Sequence, residues 1–595
     1  MKRIFILPKS DNFNKDIMAI SVIWLVCAIF IFIYKWESIS ILNLNDNDDY
    51  MRFVQFEEWM RSGHWYLEPM SNFNADDGII IHWSRFPDLM LSLIAFPLLF
   101  MVDDNIAYAI SISISIVPLF YLLFYALSCF YLCEHYFGGK YRFISMMFAI
   151  SSPSIIHFLP GSIDHHNIQL ILATLFLSLT PITIHNLKQS WRVYAQSALL
   201  SLSLWTGMEN ILLFMAFFVI YTVYCSFFHN GWFSYISKLY VTCTIFSIFA
   251  VLLNRPYDEF FVLKYDEISF ILIILFLSGW VFVNIYNRLA NDDISLNKRM
   301  LLFVSLGLLC LLPVGILYPS LTSALFIDYP PILKLYWLDQ VTEAKSVVDY
   351  IEIKGFFSVD NYALLLVPAI LYPVLRIKNH HCTVLYLIFM FNLALAMFWQ
   401  VRVIRLCFVL AAPFQAYFII KLSEYVRSTI LKIIIIFSGS PLSVAFFIIA
   451  LSPTGEITTT FDDEYKSPSI FNVLKDNGIN SHTILSGIET GAPVLAKTNN
   501  NIIAAPYHRN IVGNQFLIEV MLEEDMLLAR NKIVDKKVDY ILIGNDPHLT
   551  LLKDSGSEDS LVRRLHGDNI PAWLDVTYDG IEDGYRVFKV RSEHE

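Results

Sequence analysis

Long apolar stretches recur along this chain, and they constrain its fold more than any other feature of the sequence. A helix needs about 20 consecutive apolar residues to cross a bilayer, and runs of about that length follow one another between Ile17 and Leu451. With 56% hydrophobic residues, 16% charged residues and a mean hydropathy of +0.54, the 595-residue chain does not have the composition of a soluble protein. The sequence therefore predicts a polytopic α-helical membrane protein.

The apolar runs divide the chain into a membrane domain and a soluble tail. About thirteen transmembrane helices fit the runs, at residues 17–36, 105–135, 142–160, 168–184, 193–208, 210–228, 234–253, 267–287, 299–318, 357–376, 381–399, 402–421 and 430–452. The composition turns polar from about Ser452. We predict a transmembrane domain over 1–452 and a soluble α/β domain over 453–595. Its expected strands are 483–486, 501–504, 540–543 and 586–590, with a helix over 515–535.

The basic loops predict the orientation of the membrane domain, because Lys and Arg accumulate on the cytoplasmic side. Four basic residues precede the first run, which is too long for a signal-peptide core and is read as a retained span. The basic loops all fall in the cytoplasm only if the apolar stretch 86–102 does not span. We therefore expect a first outer loop at 37–104, a large outer loop at 319–356, a further outer loop at 160–167, and an outward-facing tail.

Charge and cysteine usage exclude two classes of function. The formal net charge of −11 disfavours nucleic acid as a partner. The eight cysteines lie in or beside apolar runs, none lies in the tail, and no CxxC pair or metal-ligand spacing occurs among them. The tail therefore needs no disulfide framework and no cysteine-bound metal.

The loop at 160–167 contains the most concentrated candidate site. Gly161-Ser162-Ile163-Asp164-His165-His166 lies between two apolar runs, so its ionisable side chains are expected where water meets lipid. An Asp and a His separated by one residue can both reach one divalent cation. A polar turn that merely ends a helix is the alternative explanation of this stretch.

Two further outer segments carry candidate residues. Asn45-Asp46-Asn47-Asp48-Asp49 follows the first run, and carboxylates this close together repel one another unless a cation or a base lies among them. Glu343, in the large outer loop, could be another acidic ligand or a hydrogen-bond acceptor. A solvated acidic loop and an ordinary surface glutamate are the corresponding alternatives.

Arginine in an apolar segment is the last candidate. Arg402 and Arg405 lie near the outer end of a predicted span, where an arginine is costly unless it binds an anion or extends to the interface. Phosphate is a natural partner, because a guanidinium binds it in bidentate fashion. With the acids and histidines, these residues indicate an outward-facing metal and phosphate site at lipid depth, which suits a substrate whose phosphate is attached to a lipid.

Five segments, in this order, resemble the motifs of C-type glycosyltransferases and, more narrowly, of the catalytic subunit of oligosaccharyltransferase in its single-subunit bacterial and archaeal form. They are Asn47-Asp48-Asp49-Tyr50, Phe86-Pro87-Asp88-Leu89-Met90, Gly161-Ser162-Ile163-Asp164-His165-His166, Val341-Thr342-Glu343 and Arg402-Val403-Ile404-Arg405-Leu406. The resemblance implies the C-type glycosyltransferase fold with an outward C-terminal domain. It extends over nearly the whole chain, although each motif is short.

The resemblance also implies roles for these residues. Asp48, Asp164 and His166 would hold a divalent metal ion, Mn or Mg. His166 replaces the second acid of the family motif, and this change suits Mn²⁺ or Zn²⁺ better than Mg²⁺. Asp48, Asp49 and Glu343 would form the catalytic set, in which Asp49 and Glu343 position or deprotonate the acceptor. Arg405, with Arg402, would bind the donor phosphate.

The tail departs from the family pattern. The family carries Trp-Trp-Asp-Tyr-Gly at the end of a strand, where the motif holds the hydroxyl of an Asn-x-Ser/Thr acceptor; here Leu485-Ser486-Gly487-Ile488-Glu489-Thr490-Gly491 takes that place. We therefore expect an acceptor other than this sequon. Tyr507, His508 and Arg509 are candidates for the acceptor side, with an ordinary loop as the alternative.

Three functions follow for comparison. The first is a metal-dependent, inverting glycosyltransferase of a bacterial inner membrane, with a cytoplasmic N-terminus and a periplasmic tail, that moves a glycan from a polyprenyl (di)phosphate carrier to a glycan, lipid or protein acceptor. The second moves one sugar from a polyprenyl monophosphate onto lipopolysaccharide or another glycan. The third is a transporter of lipid-linked glycans, which the lack of internal repeats and of mid-span ionisable residues disfavours.

Overall fold

The structure is a computed structural model and describes residues 13–74, 78–102, 105–228, 230–290, 294–317, 329–354, 362–375, 379–443, 468–580 and 584–591. The predicted domain boundary at 452 and 453 lies outside these residues, as do both ends of the predicted loop 319–356. Within the described part of the chain, helices fill the membrane domain, and a five-stranded sheet with flanking helices forms the C-terminal domain.

The membrane domain contains eighteen described α-helices. They are α1 (Phe13–Ser40), α2 (Asn47–Ser62), α3 (Arg85–Leu99), α4 (Ile106–Phe137), α5 (Arg142–Ile150), α6 (His166–Ser178), α7 (Ile184–Leu187), α8 (Ser190–Thr206), α9 (Ile211–Phe227), α10 (Phe233–Asn254), α11 (Phe270–Leu289), α12 (Leu296–Leu317), α13 (Pro331–Tyr336), α14 (Val347–Lys354), α15 (Ala363–Leu375), α16 (His380–Phe398), α17 (Ile404–Glu424) and α18 (Thr429–Ser438).

Eight helices in the described residues are long and apolar enough to cross a membrane, so the chain is a membrane protein. They are Asn14–Ser40, Ile106–Phe137, Met208–Phe227, Phe233–Asn254, Phe270–Leu289, Leu296–Leu317, His380–Phe398 and Val401–Glu424. The count of thirteen spans stays a prediction.

Proline explains one departure from the predicted spans. The stretch 142–160 is not one helix: α5 ends at Ile150, and a 3₁₀-helix follows at Pro153–Phe158. Proline lacks an N–H and disfavours helical geometry in the residue before it. The break turns the chain towards the loop at 160–167.

Helix α3 covers the stretch 86–102 that was expected not to span. Its 15 residues reach about 22 Å at 1.5 Å per residue, which is shorter than the hydrocarbon core of a bilayer. The helix packs against α4. Asp88 in its first turn is fully buried and pairs with Arg52 of α2 and with Arg85. The pair of Arg52 with Asp88 attaches α3 to α2, whereas the pair of Arg85 with Asp88 lies within α3.

The C-terminal domain contains a mixed sheet. Its strands are β1 (Thr483–Ser486), β2 (Asn501–Ile502), β3 (Tyr540–Ile543), β4 (Leu574–Gly580) and β5 (Tyr585–Val590), in the order β2-β1-β3-β5-β4. The first three run parallel, whereas β5 is antiparallel to β3 and to β4. The helices are α19 (Pro468–Asp476), α20 (Ile488–Lys497), α21 (Ile511–Met521), α22 (Met526–Asp535), α23 (Pro547–Ser555) and α24 (Leu561–His566).

The predicted elements of this domain are present with some differences, and the helices α19, α20, α23 and α24 were not predicted. The predicted helix 515–535 is two helices, because Asp525 caps α22 by accepting hydrogen bonds from Leu527 N and Leu528 N. Strand β2 is two residues shorter than predicted. Strand β4 was not predicted, since its half-exposed residues mix polar and apolar side chains.

The first outer loop and the C-terminal domain share one hydrophobic core. Buried residues of both parts pack together in it, including Tyr50, Phe53, Phe73, Ile484, Leu542 and Val587. The backbones also join, because Asn74 N donates to Ile502 O at 2.7 Å and Ile502 N donates to Asn72 O at 3.1 Å. The C-terminal domain is thus docked on the loop that carries Asp48.

Candidate active site

Asp164, His165 and His166 form a compact cluster at the start of α6. Gly161 has φ +87°, and a Cβ there would lie 2.6 Å from Cδ1 of Ile39, so this turn requires glycine. Asp164 and His165 are buried, and one ligand atom from each of the three residues lies within 4.8 Å of the others. The Asp164 carboxylate contacts Nδ1 of His165, and its Oδ2 lies 3.2 Å from Nε2 of His166.

The donor set of this cluster fits a divalent cation. Both carboxylate oxygens of Asp164 are buried, and each faces an imidazole nitrogen that is itself a potential metal ligand. One carboxylate with two imidazoles suits Mn²⁺ or Zn²⁺. Burial acts to raise the pKa of Asp164, but His165 and His166 together hold that pKa well below its usual value. The carboxylate is therefore ionised and able to ligate.

Glu209 orients His165, and sequence reasoning missed it. Its Oε1 lies 2.6 Å from Nε2 of His165, on the side of the ring away from Asp164. A carboxylate that fixes the far nitrogen of an imidazole is common behind metal sites. Glu209 is the only acid between Asp164 and Asp258, and this isolation was the signal that could have found it. His165, which had no assigned role, thus connects two carboxylates.

Asp48 and Asp49 have different surroundings in the first turn of α2. Asp49 is 1% exposed, and its Oδ1 accepts hydrogen bonds from Ile163 N at 2.7 Å and Asp164 N at 2.9 Å. It thereby ties the first turn of α2 to the loop at 160–167. Burial and the nearby Asp164 carboxylate raise the pKa of Asp48 well above its usual value, with smaller effects from Asp46 and Glu343. Such repulsion is relieved when a cation lies among the carboxylates.

Glu343 and Arg405 meet on the other side of the site. Nη2 of Arg405, in the first turn of α17, lies 2.5 Å from Oε1 of the half-exposed Glu343. Arg405 is the main cause of a lowered pKa of Glu343, and Arg402 contributes less. A cavity of about 300 Å³ adjoins the pair, and its polar lining includes Asn45, Asp46, His157, Ser162, Glu343 and Arg405. His157 also stacks edge-on against His166, with ring centroids 5.2 Å apart.

Tyr507, His508 and Arg509 lie at the junction of the two domains. The Tyr507 hydroxyl is 2.5 Å from both N and Nδ1 of His82. Arg509 holds both carboxylate oxygens of Asp266, at 2.8 and 2.9 Å, and His508 Nε2 lies 2.9 Å from Oδ2 of the same residue. His82, Asp266 and His508 could geometrically surround an ion, but the guanidinium of Arg509 already neutralises Asp266. We interpret the group as an interdomain ion-pair network.

The segment 487–491 has no room for a pair of tryptophans. A Cβ on Gly487 would lie 2.3 Å from the Asp546 carboxyl group, and a Cβ on Gly491 would lie 1.9 Å from Ala504 O. Ile488 is fully buried in the core of the C-terminal domain. Only Glu489 of this segment is partly exposed.

Comparisons with known proteins agree with this architecture. No protein-family model and no curated protein matches the sequence. Among solved structures, the chain is similar to the oligosaccharyltransferase AglB of Archaeoglobus fulgidus in complex with an inhibitory peptide and a dolichol-phosphate, with a TM-score of 0.63 and 12% identity over 95% of this chain and 73% of that chain. The same enzyme with Zn and sulfate gives a TM-score of 0.59 and 12% identity, over 96% and 73%.

Fold and site together define a polytopic α-helical membrane protein in which a cluster of carboxylates, imidazoles and an arginine lies beside a C-terminal α/β domain. Its fold is the C-type glycosyltransferase fold in the form found in archaeal oligosaccharyltransferase, as the resemblance of the sequence motifs predicted. At 12–13% identity, this similarity establishes the fold.

Proposed function

We propose that the protein is a glycosyltransferase that moves a glycan from a polyprenyl (di)phosphate carrier to an acceptor at the outer face of a bacterial inner membrane. One observation carries the proposal: Asp48, Asp164 with His166, and Glu343 with Arg405 come from distant parts of the chain and converge at one site. The AglB structure with dolichol-phosphate supports a lipid phosphate as the class of donor.

Asp48, Asp164 and His166 would hold a divalent cation, Mn or Mg. The clustering of ligand atoms from Asp164 and His166 and the raised pKa of Asp48 support this assignment. When bound, such a cation stabilises negative charge on a departing phosphate. Asp49 serves as a positioning residue, because its carboxylate contacts the backbone of the metal-ligand loop.

Arg405 would bind the donor phosphate, with Arg402 nearby, and Glu343 would act on the acceptor. A phosphate in the cavity competes with Glu343 for the Arg405 guanidinium. The freed carboxylate can then accept the acceptor proton. The bond from the acceptor heteroatom to C1 forms as the bond from C1 to the phosphate oxygen breaks, and this single displacement predicts inversion at C1.

The acceptor is proposed to be a group other than an Asn-x-Ser/Thr sequon. The steric limits at Gly487 and Gly491 and the burial of Ile488 support this, because an aromatic pocket cannot form there. The second candidate function, transfer of one sugar from a polyprenyl monophosphate onto lipopolysaccharide or another glycan, also uses an acceptor of this kind. Tyr507, His508 and Arg509 would act by docking the domain that faces the acceptor.

Transfer by the purified protein tests the proposal. Polyprenyl monophosphate and diphosphate donors carrying a radiolabelled sugar are offered with Mn²⁺, Mg²⁺ or EDTA, and consumption of the donor is followed. We expect turnover to require the cation and to disappear in Asp164→Ala. Asp339→Asn, an exposed acid of the loop that carries Glu343, is the matched control and should retain turnover. Full activity of Asp164→Ala, or indifference to EDTA, contradicts the metal assignment.

A further inference from the structure

A single carboxylate of the C-terminal domain reaches the helix that carries Asp48. Glu489 lies in the first turn of α20, and its neighbours Ile488 and Thr490 are buried in their own domain. Its Oε2 accepts a hydrogen bond from Nδ2 of Asn47, the first residue of α2. Its side chain keeps 23% of its surface exposed.

The C-terminal domain holds Glu489 from behind. Its Oε1 lies 3.2 Å from Nε2 of the buried His548, whose Nδ1 lies 3.1 Å from Tyr336 O. Asp546 accepts hydrogen bonds from Thr490 N at 3.0 Å and from His548 N at 2.9 Å. One buried carboxylate therefore holds both the backbone beside Glu489 and the backbone of His548. The carboxylate of Glu489 also lies in the first turn of α20, and the N-terminus of a helix favours a negative charge. The side chain is therefore held in place before it meets Asn47.

A second contact from the same helix falls on the other side of Asp48. Lys497, at the C-terminal end of α20, places its Nζ 5.4 Å from the ring of the fully buried Tyr50. Asn47 and Tyr50 bracket Asp48 in the sequence. Helix α20 thus contacts α2 immediately before and two residues after this carboxylate.

The carboxylate of Asp48 has to be held in place, because three neighbouring carboxylates repel it. The carboxylates of Asp164, Asp46 and Glu343 all act against its charge. Within the membrane domain, Asp46 caps α2 through Asp49 N, and Asp49 binds the metal-ligand loop. Both attachments resist rotation of the first turn of α2, and the contact of Glu489 with Asn47 adds a hold from the C-terminal domain directly beside Asp48.

We propose that Glu489 is a positioning residue through which the C-terminal domain holds Asp48 in register with Asp164 and His166. The inference rests on the proposed function only for the role of Asp48 as a metal ligand. The tether, meaning the contact of Glu489 with Asn47, does not depend on that role. Its consequence is that the cation affinity of the membrane domain depends on a side chain of the soluble domain.

The experiment measures Mn²⁺ binding to the purified full chain by the loss of the free-ion electron paramagnetic resonance signal. Removal of a group behind a metal ligand typically weakens metal binding about 10- to 100-fold, and we expect about tenfold for Glu489→Ala. Glu489→Gln keeps an oxygen for Asn47 and should lose less than Glu489→Ala. Glu519→Ala is the matched control, because Glu519 binds the side-chain amide of Gln515 within its own helix. The Mn²⁺ affinity of this variant should equal that of the wild type.

A double-mutant cycle separates positioning from general stability. Glu489→Ala should add nothing to the loss caused by Asn47→Ala, because both remove the same contact. Hydrogen exchange without metal provides the second readout: Glu489→Ala should speed exchange at the amides of residues 48–51 and leave strands β3 and β5 unchanged.

Each outcome bears on the inference. Unchanged Mn²⁺ affinity and unchanged exchange at 48–51 overturn it, as does faster exchange throughout the C-terminal domain, which would make Glu489 a stabiliser of its own domain. Faster exchange confined to 48–51 in a protein that binds no Mn²⁺ supports the tether and contradicts the proposed metal site. Additive losses in the cycle refute action through Asn47.

Discussion

The buried charge group of Arg52, Asp88 and Arg85 makes the sharpest quantitative prediction. Asp88 is fully buried, with Oδ1 at 3.3 Å from Nη1 of Arg52 and Oδ2 at 3.2 Å from Nη1 of Arg85. Arg52 is equally buried, and its Nε and Nη2 have no hydrogen-bond partner. Asp88→Asn therefore leaves two buried guanidinium groups without their shared anion.

The expected cost follows from that burial. Removing one partner of a buried ion pair typically costs about 3–5 kcal/mol, because the remaining charge stays desolvated. Since about 1.4 kcal/mol is a factor of ten, opening of α2 should become roughly 10²- to 10⁴-fold more frequent. Hydrogen exchange of the amides of residues 51–60, followed by mass spectrometry in detergent, measures this opening directly.

Two comparisons make the result decisive. Glu57→Gln removes the exposed pair with Arg61 on the same helix, and such pairs contribute about 0–1 kcal/mol, so its exchange should change only a few-fold. Asp88→Leu combined with Arg52→Met removes both charges and should recover part of the loss. An increase below tenfold in Asp88→Asn, or equal effects of Asp88→Asn and Glu57→Gln, would refute the reasoning.

Three further predictions concern Arg405 in the candidate active site, Asp266 at the junction of the two domains, and His548 behind Glu489. Arg405→Ala should raise the KM for the lipid-linked donor at least about tenfold, with Arg405→Lys in between, since lysine keeps the charge but not the bidentate geometry; steady-state kinetics measures both. Asp266→Asn removes the anion that Arg509 and His508 share, so hydrogen exchange at residues 505–511 should rise while β5 stays protected. The contact between His548 and Glu489 should weaken as pH rises. Burial lowers the pKa of His548, but Glu489 and Asp546 outweigh burial and raise that pKa above 6.5. The stabilisation that protonated His548 gives to the folded domain is therefore complete below pH 6.5 and is lost as pH passes the raised pKa. His548→Asn should remove this dependence, as measured by exchange at residues 488–491 corrected for intrinsic rates.

Local sequence signals predicted the elements that local chemistry controls. The apolar runs located the membrane helices, and the strand segments 483–486 and 540–543 match β1 and β3. Asp164 and His166 lie side by side, because two residues at a helix start cannot lie far apart, and their role as metal ligands stays a prediction. Arginine in an apolar context likewise marked Arg405, since burial of an isolated cation is costly wherever it occurs.

Partners from distant segments could not be predicted in the same way. Glu209 approaches His165 only because α6 and α8 pack together, and no local pattern encodes that packing. Glu489 reaches Asn47 across 442 positions of sequence. Tyr507, His508 and Arg509 looked like a polar loop that could face an acceptor, whereas the structure engages them with His82 and Asp266. Their interdomain role depends on how the sheet domain docks.

If the proposed function holds, the ion pair of Glu343 and Arg405 would connect donor binding to acceptor activation. Each neutralises the other at 2.5 Å, so the Arg405 guanidinium and the Glu343 carboxylate are engaged with each other in this structure. A phosphate that enters the adjoining cavity competes for the guanidinium through charge-assisted hydrogen bonds. Loss of Arg405 raises the pKa of Glu343, because Arg405 is the main cause of its lowered value. Under the proposed function, binding of the donor phosphate would therefore also make Glu343 a stronger base, so that the carboxylate gains this strength when a donor is in place.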